Sequence, residues 1–152
     1  MHAKTLVAAL ALGTLTLVSP QHAGASGAPD AKITAVHASG APGNYSFNVT
    51  IESNDTGCSH YADWWEVVDE HDALVYRRVL LHDHADEQPF TRDGGPANIE
   101  PGQIVTVRAH VNTSGYSAAA MRGSVQAGFQ RVELPAGYAA ALAKKPPLPE
   151  GC

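Results

Sequence analysis

His82-Asp83-His84 places two imidazoles one residue apart, the spacing in this 152-residue chain best suited to chemistry. Residues i and i+2 of an extended strand face one side, so the pair can offer two nitrogens to a single ion. A third ligand must come from elsewhere. His110, near the end of an alternating strand, and His60, at the start of another, are the candidates, because strand ends gather at one rim of a two-sheet fold. Asp63, Asp83, Asp86 and Glu87 can orient ring N–H groups or add an oxygen ligand. Beyond the N-terminal segment Met121 is the one thioether, so the soft ligands of a Cu(I) carrier are missing and imidazoles suit Cu(II) or Zn(II). Such a site needs neutral rings, and its affinity should fall as pH drops through about 6.5. The plainer alternative is that rim histidines are solvated or hydrogen-bonded without any ligand. His37 and His71, the latter at a hairpin tip, are read as surface residues.

A second constellation is aromatic: Tyr61, Trp64, Trp65 and, after a later turn, Tyr116. Neighbours on a strand point to opposite faces, so one indole of the Trp64-Trp65 pair belongs in the core and the other outside. Tyr61 and Trp65 are assigned as the outer contact for a protein or glycan partner. Arg77-Arg78 splits the same way, which requires one guanidinium to be tucked against a carboxylate. Enzyme chemistry has less support. Carboxylates are plentiful, but neither a Gly-x-Ser-x-Gly elbow nor a His-Glu-x-x-His helix occurs. A metal-dependent oxidoreductase of the Cu/Zn dismutase kind is the least remote case, yet its glycine-rich and aspartate-bearing metal loops are not recognisable, so the expectation is a protein without catalysis.

The elements that must position these residues are strands. Tyr45, Phe47, Val49 and Ile51 alternate with Ser46, Asn48, Thr50 and Glu52, and Val105, Val107, Ala109 and Val111 alternate with Thr106, Arg108 and His110. Further extended runs are expected over residues 32–38, 61–69, 73–82 and 123–134, with turns at 39–44, 54–57, 70–72, 93–96 and 112–115. Pro89 marks residues 87–91 as an edge or irregular segment. Helical pattern is confined to residues 136–145, which end at Pro146-Pro147. About seven short strands predict an all-β antiparallel sandwich of immunoglobulin or fibronectin type III style, with a small closed barrel as the alternative. One such domain is expected over residues 26–134, followed by a mobile Ala/Pro-rich tail over 135–152.

Charge and cysteine content bound the partners. His2 and Lys4, an apolar run over residues 6–18, Pro20 and Ala23-Gly24-Ala25 read as a cleavable Sec-type signal peptide over residues 1–25. The run is too short for a membrane span, and no other segment can cross a bilayer. Export predicts a secreted or periplasmic protein. Its remaining nine basic and fifteen acidic residues make an acidic surface without the basic stripe that nucleic acid needs. Cys58 and Cys152 are an even pair, which in an oxidising compartment favours a disulfide, within or between chains.

Three stretches carry a resemblance: residues 60–67 (His60-Tyr-Ala-Asp-Trp-Trp-Glu-Val67), residues 78–92 from Arg78-Val-Leu-Leu-His82 to Asp86-Glu-Gln-Pro-Phe-Thr-Arg92, and Val107-Arg-Ala-His110. Together they resemble a group of small exported bacterial proteins to which no activity is attached. The resemblance implies export and transfers no site. Taken together, the sequence predicts an exported binding protein whose histidines coordinate Cu(II) or Zn(II), or else an envelope interaction module in which they are incidental.

Overall fold

The computed structural model describes residues 29–152, so the signal-peptide reading lies outside the described residues. Nine strands follow in order: β1 (Ala31–Ala41), β2 (Asn44–Ser53), β3 (Ala62–Asp69), β4 (Leu74–Val79), β5 (Phe90–Ala97), β6 (Val105–Val111), β7 (Gly115–Tyr116), β8 (Ala119–Ser124) and β9 (Gly128–Glu133). They form two antiparallel sheets, one ordered β1-β2-β5 and the other β4-β3-β6-β8-β9, with β7 pairing β6. Among the described residues no ladder joins the two sheets, which sets the barrel alternative aside for a sandwich-like arrangement.

Strand alternation places the core. Tyr45, Phe47, Val49 and Ile51 point inward from β2, and Trp65, Val67, Val105, Val107, Ala109 and Val111 meet them in one apolar cluster from the larger sheet. The outer face of the smaller sheet is wet, as the polar half of β2 requires. There Thr50 pairs with Thr91 at 2.9 Å and Lys32 with Glu52 at 2.8 Å.

The larger sheet differs, because every residue of β6 is buried. Over β3 and β6 its outer face is polar but dry. Glu66 at the centre of β3 lies opposite Arg77 on β4 and Arg108 on β6, giving an Arg-Glu-Arg row across three strands. Arg77 Nε donates to Glu66 Oε2 at 2.8 Å and Arg108 Nε to Glu66 Oε1 at 2.9 Å. The remaining guanidinium donors reach outward to the tail: Arg77 to the carbonyls of Leu142, Lys145 and Pro147, and Arg108 to those of Tyr138 and Ala139. Segment 135–152 is therefore a strap, and the expectation of a mobile tail is corrected. One excess positive charge in the row, left after Glu66, is met by the negative ends of five tail carbonyls. Cys152 closes the strap by bonding to Cys58 within the chain.

Several boundaries also move. The turn expected at 93–96 is instead the interior of β5. Gly94 lies beneath the rings of Trp65 and Tyr76, where a Cβ would come within 2.6–2.8 Å of ring carbons, so the glycine marks a close approach. Pro96 is tolerated because β5 is an edge strand. The single strand expected over 123–134 is a hairpin, with Gly123 packed against the backbone of Gly128 and Phe129. The helical stretch shrinks to a 3-10 turn at Ala140–Lys144.

Candidate metal centre

Strand β4 ends at Val79, so His82 and His84 sit in the loop that leads to β5 rather than on a strand. Their rings still face each other, with centroids 4.7 Å apart. Side-chain clamps do what the missing ladder does not. Asp55, in the turn after β2, accepts from the His84 backbone N–H at 2.9 Å through Oδ2, and from Ser53 Oγ and the Ala62 N–H at 2.7 and 2.9 Å through Oδ1. Gln88 donates to the His84 carbonyl at 3.1 Å and to Ser53 Oγ at 2.9 Å. The His84 ring stacks on Phe90 at 3.7 Å with only 7° between the planes.

The ring so fixed is 2% exposed, and neither of its nitrogens has a hydrogen-bond partner. Carboxylates flank both nitrogens beyond hydrogen-bond reach: Asp55 Oδ2 lies 3.7 Å from Nδ1 and Glu87 Oε1 3.9 Å from Nε2. Burial pushes the His84 pKa down, helped by Arg92 and then His82, while Glu87 and Asp55 pull against them. The ring is thus held neutral with its lone pair available, the form a metal requires.

His82, His84 and Glu87 bring one donor atom each within 4.8 Å of one another. Donors on a tetrahedral shell of 2.0–2.2 Å lie about 3.3–3.6 Å apart, so the widest pair has to close by about 1 Å. Exposed His82 and Glu87 have room to make that shift. The competitor is Arg92, whose Nη2 already holds Glu87 Oε1 at 2.6 Å.

The other residues singled out by sequence are placed elsewhere. His110 is committed to structure: its Nδ1 is 2.7 Å from Asp63 Oδ1, and its ring stacks on Trp64 at 3.6 Å. His60 Nδ1 pairs with Thr113 Oγ1 at 2.6 Å. Neither joins the cluster of His82 and His84. Asp63 does orient an imidazole, that of His110. Asp86 is exposed, and Asp83 faces the two cysteines, with a carboxylate oxygen within 4.8 Å of both sulfurs. His37 and His71 are exposed.

Tyr61 and Trp65 require correction as partner contacts. Trp65 has no exposed surface, because it is the inward indole, and Tyr61 is 3% exposed. Trp64 is the outward indole, yet it too is buried, with the Arg77 guanidinium 4.5 Å over its ring. Tyr116 lies beneath Arg108 at 3.4 Å, and burial, then the Glu66 carboxylate, pushes its pKa up to about 12. Among the described residues the exposed large apolar side chains are Leu81 and Leu148, and neither is aromatic.

Asp55 was missed by sequence reasoning. It sits in a recognisable turn cluster, but its role depends on a loop 29 residues away.

A protein named "Putative lipoprotein" from the haloarchaeon Halomicrobium mukohataei is 39% identical to this chain over 85 residues, covering 56% of the chain and 42% of that protein. The chain thus spans under half the length of this relative. No protein-family model and no solved structure matches the chain. The Cys58–Cys152 bridge belongs to an oxidising, extracytoplasmic setting. No helix among the described residues is long and apolar enough to cross a membrane.

Proposed function

We propose that this is an exported, non-catalytic binding protein that coordinates Cu(II) or Zn(II) through His82, His84 and Glu87. The observation that carries the reading is His84: a buried, neutral imidazole, fixed by Asp55, Gln88 and Phe90, with both nitrogens unpartnered. Burying a polar group without a partner costs roughly 1–3 kcal/mol, and a bound ion would remove that cost at the nitrogen it takes. Two imidazoles and a carboxylate suit a borderline divalent ion, and water completes the shell. The reading replaces the four-histidine set of His60, His82, His84 and His110 with two histidines and a carboxylate. It leaves the interaction-module alternative without its aromatic contact, since Tyr61 and Trp65 are buried.

The strand orders support an immunoglobulin or fibronectin type III connectivity, in which the first, second and fifth strands face a sheet built outward from the third and sixth. The disulfide and the relative's name support secretion or a periplasmic location. The test is calorimetric titration of the purified protein with Zn(II) and Cu(II) at pH 7.5, repeated on His82→Ala/His84→Ala. One equivalent bound at submicromolar strength, and lost in the double variant, is the expected result. Binding unchanged by the substitutions rejects the site.

A further inference from the structure

On the same loop, Asp83 lies against different chemistry. Cys58 Sγ, Cys152 Sγ and an Asp83 oxygen all lie within 4.8 Å of one another. As a disulfide the two sulfurs are poor ligands, but as thiolates they would join the carboxylate in a three-donor set. We propose that reduction of Cys58–Cys152 opens a second metal site, in which Cys58, Cys152 and Asp83 bind a thiophilic divalent cation such as Zn(II) or Cd(II).

Both cysteines are exposed, so a reductant can reach the bond. The step balances simply. A dithiol reductant gives its two thiol hydrogens to Cys58 and Cys152 and becomes a disulfide itself, and the cation then displaces two protons from the protein thiols. Reduction leaves Cys58 and Asp83 in place, because both are held independently of the bond, and frees Cys152 only within reach of its last anchor. Cys58 lies in a turn closed by His60 N–H to Gly57 O at 2.9 Å, and its own carbonyl accepts from Asn112 Nδ2 at 3.2 Å. Arg77 grips the Pro147 carbonyl at 3.0 Å, five residues before Cys152, which keeps the thiol within roughly 17 Å of that anchor even if the last residues extend fully. Tethering of this kind makes ligation intramolecular. Asp83 is fixed by its neighbour His84, whose N–H is bonded to Asp55.

Electrostatics favour the cation as well. Two thiolates beside a carboxylate repel one another when empty, and a divalent ion turns all three into ligands. The site is distinct from that of His82, His84 and Glu87, although the two share the segment 82–84. The reduced protein should therefore hold one more ion than the oxidised protein.

The test is anaerobic titration with Cd(II) of the full chain before and after reduction by a phosphine, which leaves as its oxide after taking oxygen from water. Far-ultraviolet circular dichroism follows the fold in parallel. The expected result is a thiolate-to-cadmium charge-transfer band that saturates at one Cd(II) per chain only after reduction. His82→Ala/His84→Ala should keep that band, so failure of the histidine site and failure of this one are separable. Cys152→Ser should halve the band, and Asp83→Ala should weaken binding by about tenfold or more with both thiols still titratable. No band after reduction, binding indifferent to Asp83→Ala, a band found only in dimers, or loss of the fold on reduction would each overturn the proposal.

Discussion

Two polar regions of the larger sheet's surroundings treat burial in opposite ways. Under the strap, Glu66, Arg77 and Arg108 are buried, and with half-buried Tyr116 they are bonded to one another or to tail carbonyls. In the loop between β4 and β5, His84 is as deeply buried, with both ring nitrogens left without a partner. The indoles of Trp64 and Trp65 share that condition, but an indole N–H is a donor only and cannot bind a cation. A satisfied network is the signature of architecture, whereas an immobilised neutral imidazole with its lone pair free is the signature of a binding group.

Substitution should expose the contrast most strongly at Glu66. Glu66→Leu leaves two buried guanidinium groups without their shared carboxylate, and urea unfolding should register a loss of about 3–5 kcal/mol. A near-neutral result would mean that the tail carbonyls alone sustain both cations. The pH dependence of stability should belong to the other region. Burial lowers the His84 pKa in the folded state, so the unfolded chain takes up this proton first. Stability attributable to the group is present above about pH 6.5 and is lost as pH falls through the lower, folded value, with a slope of at most about 1.4 kcal/mol per pH unit. Urea midpoints measured across that window for the wild type and for His84→Leu should diverge on the acid side, the variant keeping the shallower slope.

At neutral pH the same His84→Leu change should be neutral or stabilising by up to about 1 kcal/mol, because an unpartnered buried polar group is replaced by an apolar one. Metal binding should vanish with it, and the pairing of retained stability with lost binding is what an architectural role cannot produce. The smallest effect is expected at Arg92. Freeing Glu87 from its 2.6 Å ion pair in Arg92→Gln should tighten Zn(II) by a few-fold in calorimetry, whereas weaker binding would show that Glu87 needs Arg92 for its position.

How much of this was legible in the sequence follows the range of the interactions. The period-2 runs of β2 and β6 located both inner faces, because alternation is local. Splitting Trp64 from Trp65 was equally local, but which indole faces inward depends on the register that sets Trp65 over Gly94. The dry outer face over β3 and β6 was not legible. Its cover arrives from residues 30 to 70 positions away, and nothing in the pattern of β6 distinguishes a polar face covered by a strap from one covered by water.

The candidate centre was legible in half. The spacing of His82 and His84 signalled a pair, although a clamped loop rather than a strand presents it. Glu87 was named as a supporting carboxylate and lies among the donors. His60 and His110 were drawn in by strand-end reasoning, but Thr113 and Asp63 already occupy one nitrogen of each. The even pair of cysteines closed within the chain, as an oxidising setting allows.

The most direct test of the central claim is nitrogen-detected NMR of the histidine side chains during Zn(II) titration at pH 7.5. The account requires ring-nitrogen resonances of His82 and His84 to move together and saturate at one equivalent, while those of His60 and His110 stay in place. Movement at His60 or His110 with His84 unchanged would contradict it.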